Sequence, residues 1–242
     1  YTLSYTLSLH DALPIYIVVK DGIPYYKGEQ INNYCIDRAI AFMREQKPYK
    51  PLLKFFDRLR ANPSRRAVSE LYRFLEHKNM PITPDGCFLA YKGISIDYKD
   101  KWSGKFNNSI GQILEMTRNK VDDDANVGCS VGFHAGSYEY ADNYCGNNGR
   151  LMLVKIDPAD VVSVPHDCDC QKLRTCRYEV VSELEERKPL QECYNDQYGD
   201  QDEEQASHED LSIMDEEDAI AKAYSNGYKA ALGKLHSKRD SS

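Results

Sequence analysis

The sequence predicts an α+β fold: a small N-terminal hairpin and a helical region lead into a mixed or antiparallel sheet with a short helix, and an amphipathic helix closes the C-terminus. Three observations predict it. Apolar side chains recur at helical spacing between residues 31 and 75. Short apolar, β-branched runs separated by turn residues take over after Pro84. One helical interruption, Ser137–Tyr144, falls among those runs. A chain of 242 residues can bury one substantial core plus small appendages.

Taken in order, Tyr16–Lys20 reads as a strand, Asp21–Gly22 as a turn and Ile23–Tyr26 as the returning strand. A first helix is expected over Ile31–Glu45, before Pro48 and Pro51 break the pattern. A second carries Leu52, Leu53, Phe55, Phe56 and Leu59 to the interruption at Asn62–Pro63–Ser64. A third presents Val68, Leu71, Tyr72 and Leu75 on one face. These spacings favour packing over display. Strands are then expected at Cys87–Ile94, Ile110–Met116, Leu151–Ile156, Val161–Val164 and Tyr178–Val181, with Ser137 capping the short helix. The units are residues 16–80 (hairpin and helices), 81–186 (α+β core), 187–214 (acidic linker) and 215–242 (helical tail striped by Ile220, Tyr224, Tyr228, Ala231 and Leu235). That tail can dock on the body or on a partner. Thr6–Ile15, TLSLHDALPI, matches a common sequencing adapter translated in frame, so Tyr1–Ile15 is read as an assembly artefact.

A formal charge of −7 and a pI near 5.4 give no electrostatic reason to expect a general nucleic-acid binder. No stretch approaches the apolar length of a membrane span. The eight cysteines do not repeat like an extracellular disulfide scaffold, and reduced thiols in a cytoplasmic protein are the simpler reading.

Chemistry concentrates in Cys129–Tyr178. His134, between Gly132 and Gly136, is read either as a ligand contact supported by Tyr138 and Tyr140 or as a turn histidine held by one backbone bond. Lys92 and Arg150, at strand ends, would complete an anion-receiving pocket if those ends converge; surface ion pairs are the plainer alternative. His166, Cys168, Cys170 and Cys176 supply the histidine and thiolate donors that structural zinc sites favour, although the usual two-residue spacing is absent; free thiols around a turn, or a disulfide or redox pair, account for the same residues. Asp122–Asp124 reads as an acidic loop rather than a magnesium site, and Asp157–Asp160 as a turn. No catalytic residue is assigned, and no phosphate-binding loop, HExxH motif or nucleophile elbow occurs.

In order along the chain, FFDRLRANPSRRAVSELYRFLEHKNMPITPDGCFLAYKGI, GKFNNSIGQILEM, CSVGFHAGSYEYADNYCG and GRLMLVKIDPADVVSVPHDCDCQKLRTCRYEVV resemble the rIIB-like proteins of tailed bacteriophages across Phe55–Val181. The resemblance implies a lysis-inhibition accessory protein that is not itself a lytic enzyme. It also implies action in the infected bacterial cytoplasm through a phage or host protein, with a membrane-associated partner holding it near the inner membrane. Phe133 stands where leucine is common in that family's GLH phrase, and the CDC segment is unusually rich in cysteine. A second resemblance, of FLAYKG, VGFHAGSYEYADNY and LMLVKI to ADP-ribosyltransferase-like folds, implies NAD held by Lys92, His134, Tyr138 and Tyr140, but no secure catalytic glutamate accompanies it.

Overall fold

A computed structural model of the chain describes residues 4–7, 17–21, 23–26, 28–31, 33–78, 80–167, 169 and 171–190. The tail, most of the acidic linker, and Cys168 and Cys170 lie outside these residues.

A four-stranded antiparallel sheet comes first, formed by β1 (Ser4–Leu7), β2 (Ile17–Lys20), β3 (Ile23–Tyr26) and β4 (Glu29–Gln30) in that order. The expected hairpin is its centre. Ile17 and Val19 turn inward and are fully buried. Ser4–Leu7, in the adapter-like stretch, runs antiparallel to β2.

Three helices follow: α1 (Tyr34–Arg44), α2 (Lys50–Arg60) and α3 (Arg65–His77). The α1 helix starts later than its periodicity suggested because the Asn33 side chain accepts from the Cys35 amide and caps it there. Pro51 opens α2, where a missing N–H costs nothing.

The second sheet contains β5 (Phe88–Ser95), β6 (Ile113–Glu115), β7 (Phe133–Gly136), β8 (Gly149–Ile156), β9 (Val161–Ser163), β10 (Lys172–Thr175) and β11 (Arg177–Glu183). Its seven strands are ordered β6-β11-β8-β5-β7-β10-β9, and every pairing is antiparallel, which resolves the mixed-or-antiparallel expectation. The centre is β5 against β8, in register from Phe88 opposite Ile156 to Ser95 opposite Gly149. Two of these strands, β7 and β10, went unread. Both are short, and β7 lies in the glycine-rich phrase that suggested a turn.

Strand alternation divides the core. Phe88, Ala90, Ile94, Met152, Val154 and Ile156 face α1–α3 and the small sheet in one large cluster. Leu89, Tyr91, Leu151 and Leu153 face the other way and pack on α4 (Tyr138–Cys145). Ser137 caps α4 as expected, its side chain accepting from the Tyr140 amide. Gly93 lets α4 sit this close: a Cβ there would lie 2.4 Å from the Ala141 carbonyl oxygen.

The helical layer is fastened to the sheet by polar side chains. Asn62, 6 % exposed, donates to the carbonyls of Pro158 (2.8 Å) and Val161 (2.7 Å). Its own oxygen accepts from the Ser64 amide and from Arg118. These bonds add to the donors those two carbonyls already have, the Val161 amide for Pro158 and Arg118 for Val161, and so tie the end of α2 to the edge strand β9. The turn at Asp85–Gly86 also holds the helical layer close: Gly86 has φ +80°, and a Cβ there would lie 2.5 Å from the Lys54 carbonyl carbon. The Asp157 side chain accepts from the Ala159 amide and pairs with Arg58 on α2.

Candidate functional site

The expected pocket residues all lie on or beside the second sheet, on different sides of it. Lys92 faces the helical layer, where its Nζ donates to the His134 carbonyl at 2.7 Å and lies 5.2 Å from the Tyr178 ring centroid. Desolvation draws its pKa down to about 8, only partly opposed by Asp100. Arg150 is on that same face, opposite Ile94. It grips both carboxylate oxygens of Glu183 at 2.8 and 3.1 Å and donates to the Ile96 carbonyl.

His134 belongs to a strand, not to a turn. Phe133 and Ala135 of β7 enter the large core, so the imidazole between them projects from the opposite face. That face also carries α4. Tyr138 packs edge-to-face on Tyr91 with centroids 5.6 Å apart, and its hydroxyl donates to the Arg187 carbonyl. Tyr140 stacks on Tyr144 at 6.2 Å. The structure thus joins Lys92 to His134 through backbone, while the two cations named from sequence lie across the sheet from the imidazole.

The cations on the imidazole's own side are Lys172 and Arg174. Both lie on β10, with Arg174 opposite His134 and Lys172 opposite Gly136. They are 2 % and 0 % exposed. Lys172 pairs with Asp167 at 2.6 Å and lies 5.8 Å from the Tyr140 ring centroid. Arg174 reaches Asp122 at 3.2 Å, Ser163 Oγ at 3.1 Å and the Asp124 carbonyl. Sequence reasoning missed this pair because QKLRT was absorbed into the cysteine-rich turn. The i, i+2 spacing of Lys172 and Arg174 was the available signal, since it puts both on one face of any strand.

Desolvation, followed by the charges of Lys92, Lys172 and Arg174, holds His134 down at about 4, so the ring is neutral at pH 7. A histidine whose folded pKa is depressed leaves the unfolded chain binding the extra proton as pH falls. Stability is therefore full above about pH 6.5 and declines toward pH 4. Urea unfolding should show a loss on the order of 2 kcal/mol between roughly pH 7 and 5. His134→Asn should remove most of that slope; an unchanged slope would refute the buried neutral imidazole.

The residues considered for zinc are placed as follows. His166 Nδ1 lies 3.3 Å from Asn126 Oδ1, in the turn joining β9 to β10. Cys176 is beyond the other end of β10, where its thiol bonds Asp160 at 3.7 Å and burial raises its pKa. Among the described residues no group of three or more His, Cys, Asp or Glu could hold a metal. The acidic loop uses Asp122 to pair with Arg174 and Asp124 to accept from the Asn126 amide.

A second charged group lines a cleft of about 190 Å³ at the α2–sheet junction, where Arg58 meets Asp157 and Lys155 meets Asp85 at 2.6 Å. Burial alone would raise the Asp85 pKa, but the bonds from Lys155 and Thr83 outweigh it and bring it to about 2. Desolvation and then Asp85 push the Cys87 thiol up to about 12, leaving it a poor nucleophile.

These features define an α+β protein with an all-antiparallel seven-stranded sheet, whose best-marked sequence phrases supply caps, close packing and ion pairs. Residues 11–191 match the family described as Bacteriophage T4 protein rIIB, and the chain belongs to that family. It is 36 % identical over 169 residues to protein rIIB of Enterobacteria phage T4, covering 70 % of this chain and 54 % of that protein. The chain thus spans about half the length of the curated relative it matches. No solved structure matches it. Among the described residues no helix is long and apolar enough to cross a membrane.

Proposed function

We propose that this chain is an accessory protein that regulates host-cell lysis by binding a phage or host protein in the infected bacterial cytoplasm, including a membrane-associated partner that would hold it near the inner membrane. Membership of the rIIB family supports the setting. The observation that carries the binding mode is the loop between β5 and β6. Trp102 there is 88 % exposed, with Ile96 at 61 % and Ile110 at 58 %.

This loop is built to hold its shape. The Asp100 carboxylate accepts from the backbone amides of Ser103, Lys105 and Phe106 at 2.6, 2.9 and 2.8 Å. Burial alone would raise the Asp100 pKa, but these bonds outweigh it and lower the value. Lys101 reaches back to the carbonyls of Tyr144 and Cys145. A tryptophan presented on a pre-ordered loop loses little entropy on binding, and exposed tryptophans make strong interface anchors.

Replacing Trp102 and Ile110 together with serine should leave the circular dichroism spectrum and unfolding midpoint unchanged. It should reduce capture of the partner from infected-cell extract at least about tenfold, as loss of roughly 1.4 kcal/mol requires. Equal capture by parent and variant would reject the loop as the contact.

A further inference from the structure

Lys172 and Arg174 stand side by side on the face that also bears His134, with a carboxylate on each: Asp167 and Asp122 respectively. Those carboxylates lie toward solvent, their side chains 37 % and 26 % exposed against 3 % and 0 % for the cations they meet. Inside them, polar nitrogens are left over. Arg174 Nε and His134 Nε2 are buried with no hydrogen-bond partner. Arg174 Nη1 is already committed to Asp122 at 3.2 Å.

A buried polar group left without a partner costs roughly 1–3 kcal/mol. Two such nitrogens, one on each residue of a cross-strand pair, call for an acceptor supplied from outside the chain. The acceptor's chemistry follows from the donors. A guanidinium and an ammonium, both held out of water, favour an anion with several oxygens, and a neutral imidazole can donate one further bond. Gly136 lets the β10 backbone at Gln171 and Lys172 close on β7, which sets the Lys172 side chain beside the imidazole strand: a Cβ there would lie 2.2 Å from the Gln171 carbonyl oxygen.

We propose that His134, Lys172 and Arg174 form a binding site for a phosphate group. Asp167 is its internal competitor: it holds the Lys172 ammonium at 2.6 Å and must turn outward when the phosphate enters. The site lies across the sheet from Lys92 and Arg150, and it does not depend on the Trp102 loop as a partner contact.

The test is a titration of the full chain with inorganic phosphate, read by the ring ¹⁵N resonances of His134 and by thermal unfolding. Phosphate should shift those resonances saturably and raise the unfolding temperature. Lys172→Met should weaken binding about tenfold or more, the cost of one charge-assisted hydrogen bond. Asp167→Asn should strengthen it, which keeps the proposal testable if Lys172→Met fails to fold. Parallel titrations with a nucleoside monophosphate and with phosphoserine identify the source: tighter binding of the first indicates a small-molecule ligand, and of the second a phosphorylated side chain. His134 resonances that stay fixed in both the parent and Asp167→Asn, or that respond equally in a folded Lys172→Met, would overturn the site.

Discussion

Gly93→Val should destabilise the protein by about 3 kcal/mol, the upper range for overpacking a well-filled core. At this position the β5 backbone touches α4: an added Cβ would lie 2.4 Å from the Ala141 carbonyl oxygen and 2.7 Å from both the Cys145 amide nitrogen and its Cβ. Backbone cannot move aside as a flexible side-chain end can. The γ-methyls of valine would have to lift α4 from β5 and loosen the cluster of Tyr91, Ala141, Cys145 and Leu151. Urea unfolding of parent and variant, with Gly93→Ala as a smaller step, measures the effect. A valine variant within about 0.5 kcal/mol of the parent, the range of a neutral surface change, would show that α4 is not held where described.

Asn62→Ala should cost about 2–3 kcal/mol for a different reason. The amide of Asn62 donates twice and accepts twice, joining the end of α2 to Pro158, Val161 and Arg118. Arg118 also donates to the Val161 carbonyl, so that oxygen keeps a partner in the variant. The Pro158 carbonyl likewise keeps the Val161 amide as a donor, so the cost is that of four lost hydrogen bonds, one of which leaves Arg118 short of an acceptor. A double-mutant cycle with Arg118→Met should therefore show coupling of about 0.5 kcal/mol or more. Strict additivity would mean that Asn62 acts locally, as the turn residue its Asn-Pro-Ser context suggests.

That contrast shows what was legible. Helical spacing placed Leu52 to Leu59 and Val68 to Leu75 correctly because burial writes a period of 3.6 into the chain. The apolar run Leu151–Ile156 and the cap at Ser137 were equally plain. Antiparallel pairing was not readable, since strand order depends on residues far apart in sequence. The β7 strand was hidden because its small residues serve close backbone contact: a Cβ on Gly136 would lie 2.2 Å from the Gln171 carbonyl oxygen. The β10 strand was hidden for another reason. Its four buried residues are Lys, Leu, Arg and Thr, and a buried cation pair defeats any reading based on apolar alternation.

The candidate site divided along the same line. His134 was identified from its own phrase, whereas its cationic neighbours come from a strand roughly forty residues away that pairs antiparallel with β7. Lys92 and Arg150 were sound choices by residue type, but strand parity sends them to the other face. Phrases such as NPS, DG and PAD are distinctive largely because a turn, a cap or a close approach restricts the residue, and Asn62, Gly86 and Asp157 each show that use.

Regulation of lysis through the Trp102 surface, as proposed, makes lysis timing depend on that loop. Lysis timing in cells infected with phage carrying either the parent or the Trp102→Ser, Ile110→Ser chain tests it most directly, with protein level and fold checked in both. The substituted chain should accumulate normally, keep its unfolding midpoint and give the lysis timing of phage lacking the protein. Parental timing with the loop substituted would contradict it.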